Sequence, residues 1–211
     1  RSAQSAMAGF IHTGERERMR GEMVHLSTLK VKVIIFFLIA VTGCSALPEG
    51  RKWEDVSFVM YQTSRLKTGD IIVKNKKWDP LSWYGHAAVM IDDMSIGDYP
   101  KFGVGYYEID SFSWLYEERK VMVLRYRNFD EKFKEAFLKN LESLKDEGYW
   151  VTFNKKSNDG FYCSQFVWYL YWKTAKDLGY ELDLDSDRGI LVMPYDFIGS
   201  PYLEQIYFNN N

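Results

Sequence analysis

Of the 211 residues, 46% are hydrophobic and 17% aromatic, and 27 basic side chains stand against 29 acidic ones, a net charge of -2. Hydrophobicity this high and charge this low exclude a disordered chain, and two cysteines exclude a disulfide scaffold. Basic residues gather only in short runs such as Lys74, Lys76 and Lys77, so no nucleic-acid partner is expected.

Residues 1 to 22 are polar and without pattern, and read as an upstream or non-native extension, with Met19 and Met23 as candidate initiators. Lys30 and Lys32 then lead into an apolar run from 33 to 41 that ends in Val41-Thr-Gly-Cys44. A spanning helix needs about 20 apolar residues, so this shorter run reads as a secretory signal. The tetrad resembles a bacterial lipobox, which implies that Cys44 is lipidated and heads the mature chain, held to a membrane by about 0.8 kcal/mol per buried methylene. The alternative is an ordinary signal peptide with Cys44 incidental. Ser45 after the lipid site is compatible with outer-membrane sorting in a Gram-negative cell. The expected division is therefore 1 to 43 as extension and signal, 44 to 64 as tether, and 65 to 211 as one folded domain.

Within the tether, a short amphipathic piece is expected around residues 56 to 61. Thr68-Gly-Asp70 is a turn signal, and Ile71-Ile-Val73 after it suggests a buried strand. The loop from 75 to 85 is unusually aromatic, with Trp78, Trp83 and Tyr84 beside Pro80. Residues 86 to 92, 103 to 110 and 120 to 126 read as further strands, and the short turns between them imply an antiparallel sheet. Residues 128 to 148 repeat apolar groups at three and four, which predicts a helix capped by Asn128 and Glu131 and stopped by Gly148. A second helix is predicted over 162 to 177, apolar around most of its circumference and so central to the core. Asp183, Asp185 and Asp187 form an acidic loop that does not match an EF-hand, so a solvated face is expected and no metal or other cofactor. A short helical return is expected over 194 to 205.

Without the prefix, and with Cys44 lipidated, the chain keeps one histidine, His86, and one free thiol, Cys163, as the sole candidates for Cys-His chemistry. Cys163 falls at the opening turn of the predicted central helix, where free amides and the helix dipole favour a thiolate over a thiol of ordinary pKa ~8.5. His86 follows Gly85 and precedes Ala87-Ala88, which leaves room beside its ring. A third polar group is needed to hold the imidazole, and Glu108 is the first choice, with Asp92, Asp93 and Asp110 as competitors. The Cys163 amide and the Tyr162 hydroxyl are candidates for holding an oxyanion, and Trp83 and Tyr84, with Trp78, for walling a substrate cleft. Aromatic side chains in so aromatic a chain are more often simply packed.

Thr68-Gly-Asp-Ile-Ile-Val73, Gly85-His-Ala-Ala-Val-Met-Ile91, Tyr107-Glu-Ile109, Phe161-Tyr-Cys-Ser-Gln-Phe-Val-Trp168 and Met193-Pro-Tyr-Asp196, in that order, resemble the YiiX/YebB-like branch of the NlpC-type cysteine hydrolases. The resemblance covers roughly residues 66 to 200. It implies an α+β, circularly permuted papain-like fold, with Cys163 as nucleophile, His86 as general base and Glu108 as orienting group. It also implies a surface-anchored hydrolase of amide bonds, with cell-wall peptides the leading substrate class. The alternatives are a lipid acyl hydrolase or acyltransferase of related permuted fold, and a binding module without catalysis.

Overall fold

The computed structural model describes residues 47–78, 83–101 and 103–208. The expected signal segment, Cys44, Ser45 and Pro80 lie outside them. Among the described residues no helix is long and apolar enough to cross a membrane.

The Thr68-Gly-Asp70 turn starts the sheet. Gly69 has φ +86°, and a Cβ there would lie 2.3 Å from the Phe129 ring, so both backbone and space demand glycine. Asp70 is fully buried; its two oxygens each accept from Arg125 at 2.7 Å, and Oδ2 also accepts the Lys67 amide at 2.9 Å. That fork ties strand β2 (Ile71–Lys74) to strand β6 (Lys120–Tyr126), its antiparallel neighbour.

The remaining strands are β1 (Glu54–Asp55), β3 (His86–Met90), β4 (Ser95–Asp98), β5 (Tyr107–Asp110) and β7 (Leu203–Ile206). All pair antiparallel in the order β1-β6-β2-β3-β4-β5, with β7 also on β6. Helices α1 (Val56–Met60), α2 (Ser111–Leu115), α3 (Glu131–Glu142), α4 (Cys163–Asp177) and α5 (Asp196–Gly199) complete an α+β fold.

Apolar side chains cover both faces of the sheet. Ile71, Val73, Ala87, Val89, Met122 and Leu124 pack under α3 and α4, while Ile72, Ala88, Met90, Val121 and Val123 pack under Val59, Trp114, Leu115 and Phe208. Double-sided cover is why β2 and β6 read as unbroken apolar runs rather than alternating ones. Helix α4 is buried from Cys163 through Tyr171, the central position its sequence predicted. An aromatic group of Tyr126, Phe129, Phe133, Phe137 and Tyr171 fills the space between α3, α4 and β6.

Several expected elements differ. Helix α3 is capped by Asp130, whose carboxylate accepts the Phe133 amide at 2.8 Å, and not by Asn128. The segment from 194 to 205 is helical only in α5 and ends in β7, because β6 has an open edge beyond β1 that 203 to 206 fills. Residues 47 to 64 do not stand apart as a tether: they belong to the same compact unit, with β1 on the sheet and Val59 in the core. The acidic loop is a solvated face only at Asp187: Asp183 is half-buried and accepts the Trp168 N–H at 2.7 Å, and Asp185 is buried in an ion pair with Lys155. Oxygens of Asp185, Asp187 and Asp196 lie within 4.8 Å of one another. Burial first, then Asp187 and Asp185, push Asp196 up to about 7.

Breaking the Asp70 fork leaves a fully buried carboxylate without its cation. Arg125→Met should cost about 3 kcal/mol of unfolding free energy in a denaturant titration. A loss under about 1 kcal/mol would show that the turn does not depend on the fork.

Candidate active site

Cys163 is the first residue of α4, after Tyr162 in extended backbone at φ -111° and ψ 166°. No side chain caps this terminus, so its amide dipoles act on the sulfur beside them. The terminus is pinned from two sides. The Phe161 amide donates to the Gly148 carbonyl at 2.9 Å and the Trp150 amide to the Phe161 carbonyl at 3.0 Å. Ser164 Oγ donates to the Val192 carbonyl at 2.7 Å, and the Val192 amide donates to the Tyr162 hydroxyl at 2.9 Å.

His86 begins β3. Gly85 before it has φ +84°, and a Cβ there would press within 3.0 Å of both the Lys74 carbonyl and the Tyr195 ring, so this entry to the strand requires glycine. Ile72 and Ala88 oppose each other and pack in the core under Trp114, so Lys74 and His86, two residues along, occupy that same face. Asp98 shares it too, two residues after Ile96. His86 Nε2 donates to Asp98 Oδ2 at 2.7 Å, and Asp98 is only 1% exposed. Trp114 Nε1 donates to the same oxygen at 2.9 Å. The other imidazole nitrogen, Nδ1, is left for the Cys163 sulfur, with which the ring is hydrogen-bonded and charge-coupled.

The expected third member, Glu108, is not at this site. Its neighbour Ile109 packs on the face that carries His86, so alternation turns Glu108 to the opposite face. There it pairs with Lys145 Nζ at 2.7 Å and accepts the Tyr106 hydroxyl at 3.0 Å. Of the competitors, Asp92 closes the β3-β4 turn by accepting the Met94 and Ser95 amides, and Asp110 caps α2 through the Ser113 amide. Asp93 is exposed. Asp98 is hidden in the sequence because β4 is four residues long and carries glycine in its middle. Gly97 is there because Tyr106 Oη and Ile91 would sit 2.7 and 2.9 Å from its Cβ. The signal that could have found β4 is the Asp92-Asp93 turn, two residues before Ser95-Ile96-Gly97-Asp98.

The Tyr162 hydroxyl is engaged with the Val192 amide, which gives that residue a bracing part behind the helix start. Several tyrosines feel the site's charges: Tyr149 is raised by burial and then by Cys163, Tyr84 and Asp98, Tyr162 by burial and Cys163, and Tyr107 by burial and Asp98. Trp83 is 43% exposed and meets Tyr84 edge-on at 6.2 Å, so it is not a packed core side chain. Trp78 is fully exposed and lines a separate groove of about 860 Å³ with Lys76, Lys77 and Tyr116.

Burial alone would lower the His86 pKa, yet the Asp98 carboxylate and the Cys163 sulfur together raise it to about 10. Burial alone would raise the Cys163 thiol; the His86 charge and hydrogen bond, with the Ala87 amide, outweigh it and bring the thiol below its ordinary value. Each charge thus favours the other, which biases the pair toward thiolate and imidazolium. It can present a nucleophilic sulfur and a proton donor side by side.

Iodoacetamide labelling of Cys163 should follow thiolate formation, with a midpoint below the ordinary ~8.5 of a free thiol. In His86→Ala the lowering cation is gone and burial remains, so the midpoint should rise and labelling at neutral pH should slow. An unchanged midpoint would remove the ion pair. No protein-family model matches the chain, and no curated protein matches it either.

Proposed function

We propose that the protein is a cysteine hydrolase of the YiiX/YebB-like, permuted papain-like kind, cleaving amide bonds through Cys163, His86 and Asp98, with cell-wall peptides as substrate. The observation that carries this reading is the His86-Asp98 contact at 2.7 Å, set beside a cysteine at the start of a buried helix. The order of elements agrees with it, since the histidine strand precedes the cysteine helix.

The Cys163 thiolate attacks the amide carbonyl carbon, and the oxyanion so formed meets the Cys163 amide at the positive end of α4. His86 gives its proton to the departing amine, leaving a thioester on Cys163. The neutral imidazole then takes a proton from water, which attacks the thioester and frees the acid and the thiolate. Asp98 holds the ring in the tautomer that points Nδ1 at the sulfur and offsets the imidazolium charge. Export and lipidation at Cys44 would hold the enzyme at the bacterial membrane surface, beside the wall.

Purified muropeptides and, in parallel, phospholipid vesicles decide the substrate class. New amino termini should appear with muropeptides and vanish in Cys163→Ala, and Asp98→Asn should lower kcat by roughly a hundredfold. Activity should hold between the lowered thiol pKa and about 10, and fall above it as His86 loses the proton owed to the leaving amine. Fatty acid release alone would replace the amidase with the lipid hydrolase, and inertness in both arms would leave the binding module. Radiolabelled palmitate should enter the wild-type protein and not Cys44→Ser; label persisting in that variant would reject Cys44 as the anchor.

A further inference from the structure

We propose that Trp114 is a positioning residue for the His86-Asp98 pair, and that Lys74 seated on its ring strengthens the hydrogen bond by which it acts. The inference rests on the hydrolase reading and names how that site is held.

Asp98 is 1% exposed, and its Oδ1 has no hydrogen-bond partner among the described residues. Both donors to the carboxylate, His86 Nε2 at 2.7 Å and Trp114 Nε1 at 2.9 Å, reach Oδ2. His86 keeps its Nε2–H on the carboxylate throughout a proton-transfer cycle at Nδ1, but that hydrogen bond weakens whenever the imidazole is neutral. The indole N–H cannot titrate in that range and donates only. Trp114 is therefore the donor that stays constant while the imidazole switches. The ring is 5% exposed and packs with Ile72, Ala88, Met90 and Val121, which hold it still, and its centroid lies 5.8 Å from the His86 ring at 30°.

Lys74 lies directly opposite His86 in the β2-β3 register and is 5% exposed. Its Nζ sits 3.7 Å from the Trp114 ring centroid and donates to the Trp114 carbonyl at 2.7 Å and to Glu117 Oε2 at 3.0 Å. A cation on the face of an indole draws electron density from the ring and makes the N–H a stronger donor. The same ammonium is the described lysine whose own charge is coupled to Asp98. Glu117, which also holds Lys77 at 2.7 Å and Arg119 at 3.7 Å, keeps Lys74 from swinging away. His86, Cys163, Tyr107 and Tyr149 also feel the Asp98 charge.

Trp114→Phe keeps a ring and removes the N–H, and Lys74→Met removes the cation while Lys74→Arg keeps it. The labelling rate of Cys163 by iodoacetamide reads the pair without any substrate. Trp114→Phe should slow labelling at pH 7 roughly tenfold, with the midpoint about one unit higher, and should broaden the downfield proton resonance of the His86 ring N–H. Lys74→Met should do the same to a smaller extent, with Lys74→Arg near wild type. Where a substrate is cleaved, kcat should fall with KM unchanged. The denaturant midpoint of each variant checks folding; should Trp114→Phe fail to fold, the Lys74 pair carries the test. Wild-type rate and resonance in folded Trp114→Phe, or no difference between Lys74→Met and Lys74→Arg, would overturn the proposal. Labelling that ignores His86→Ala would instead overturn the hydrolase reading beneath it.

Discussion

A carboxylate almost without solvent, 2.7 Å from an imidazole, is the contact on which the site depends. Taking such a group out of water costs several kcal/mol unless opposite charge and hydrogen bonds replace the water. Here the replacement runs as a series: Cys163 sulfur, His86, Asp98, the Trp114 N–H, Lys74 on the indole face, Glu117, and then the half-exposed Lys77 and the buried Arg119. Every member has a neighbour of opposite sign or a donor. The imidazolium favours the thiolate, and Asp98, held in place, favours the imidazolium.

The fold supplies these groups from both sides of one sheet. His86, Asp98 and Lys74 share the face under Trp114, whereas Cys163 comes from the helix packed on the other face. They can meet only where a strand starts and its side chain can reach past the sheet, which is where His86 sits, just after the left-handed turn at Gly85. Covering the sheet on both sides is thus a condition for the site as well as for stability. A sheet with one wet face would put water on Asp98 and weaken each link of the series.

The parts legible in the sequence are those where local pattern and burial agree. The apolar runs at Ile71 and Val121, the periodicity of α3 and the all-round apolarity of α4 each announce an element whose packing follows directly. Cys163 at a helix start and His86 at a strand start are legible for the same reason. What could not be read depends on pairing between distant segments. β4 has little β-propensity and exists because β3 and β5 flank it, and β7 exists because β6 has a free edge. Glu108 against Asp98 is a question of face, and face follows from register, which a single strand does not reveal. Asn128 and Asp130 are both good caps, and the choice between them is made by where the chain leaves Tyr126 and Phe129 in the core.

Ala87 shows how narrow the geometry is. It lies on the α4 side of β3, fully buried, and its amide donates to the sulfur while its neighbour supplies the imidazole. Interiors are packed with little slack, so a side chain larger than alanine at this position would have to be taken up between strand and helix. The helix start, already pinned to Gly148 through Phe161 and to Val192 through Ser164, has no direction in which to yield without dragging both segments. A displacement of even ~1 Å at the sulfur would be enough to lose an in-line proton transfer. The small residues beside His86 therefore belong to the site: they set the distance at which two layers of the fold can share a charge.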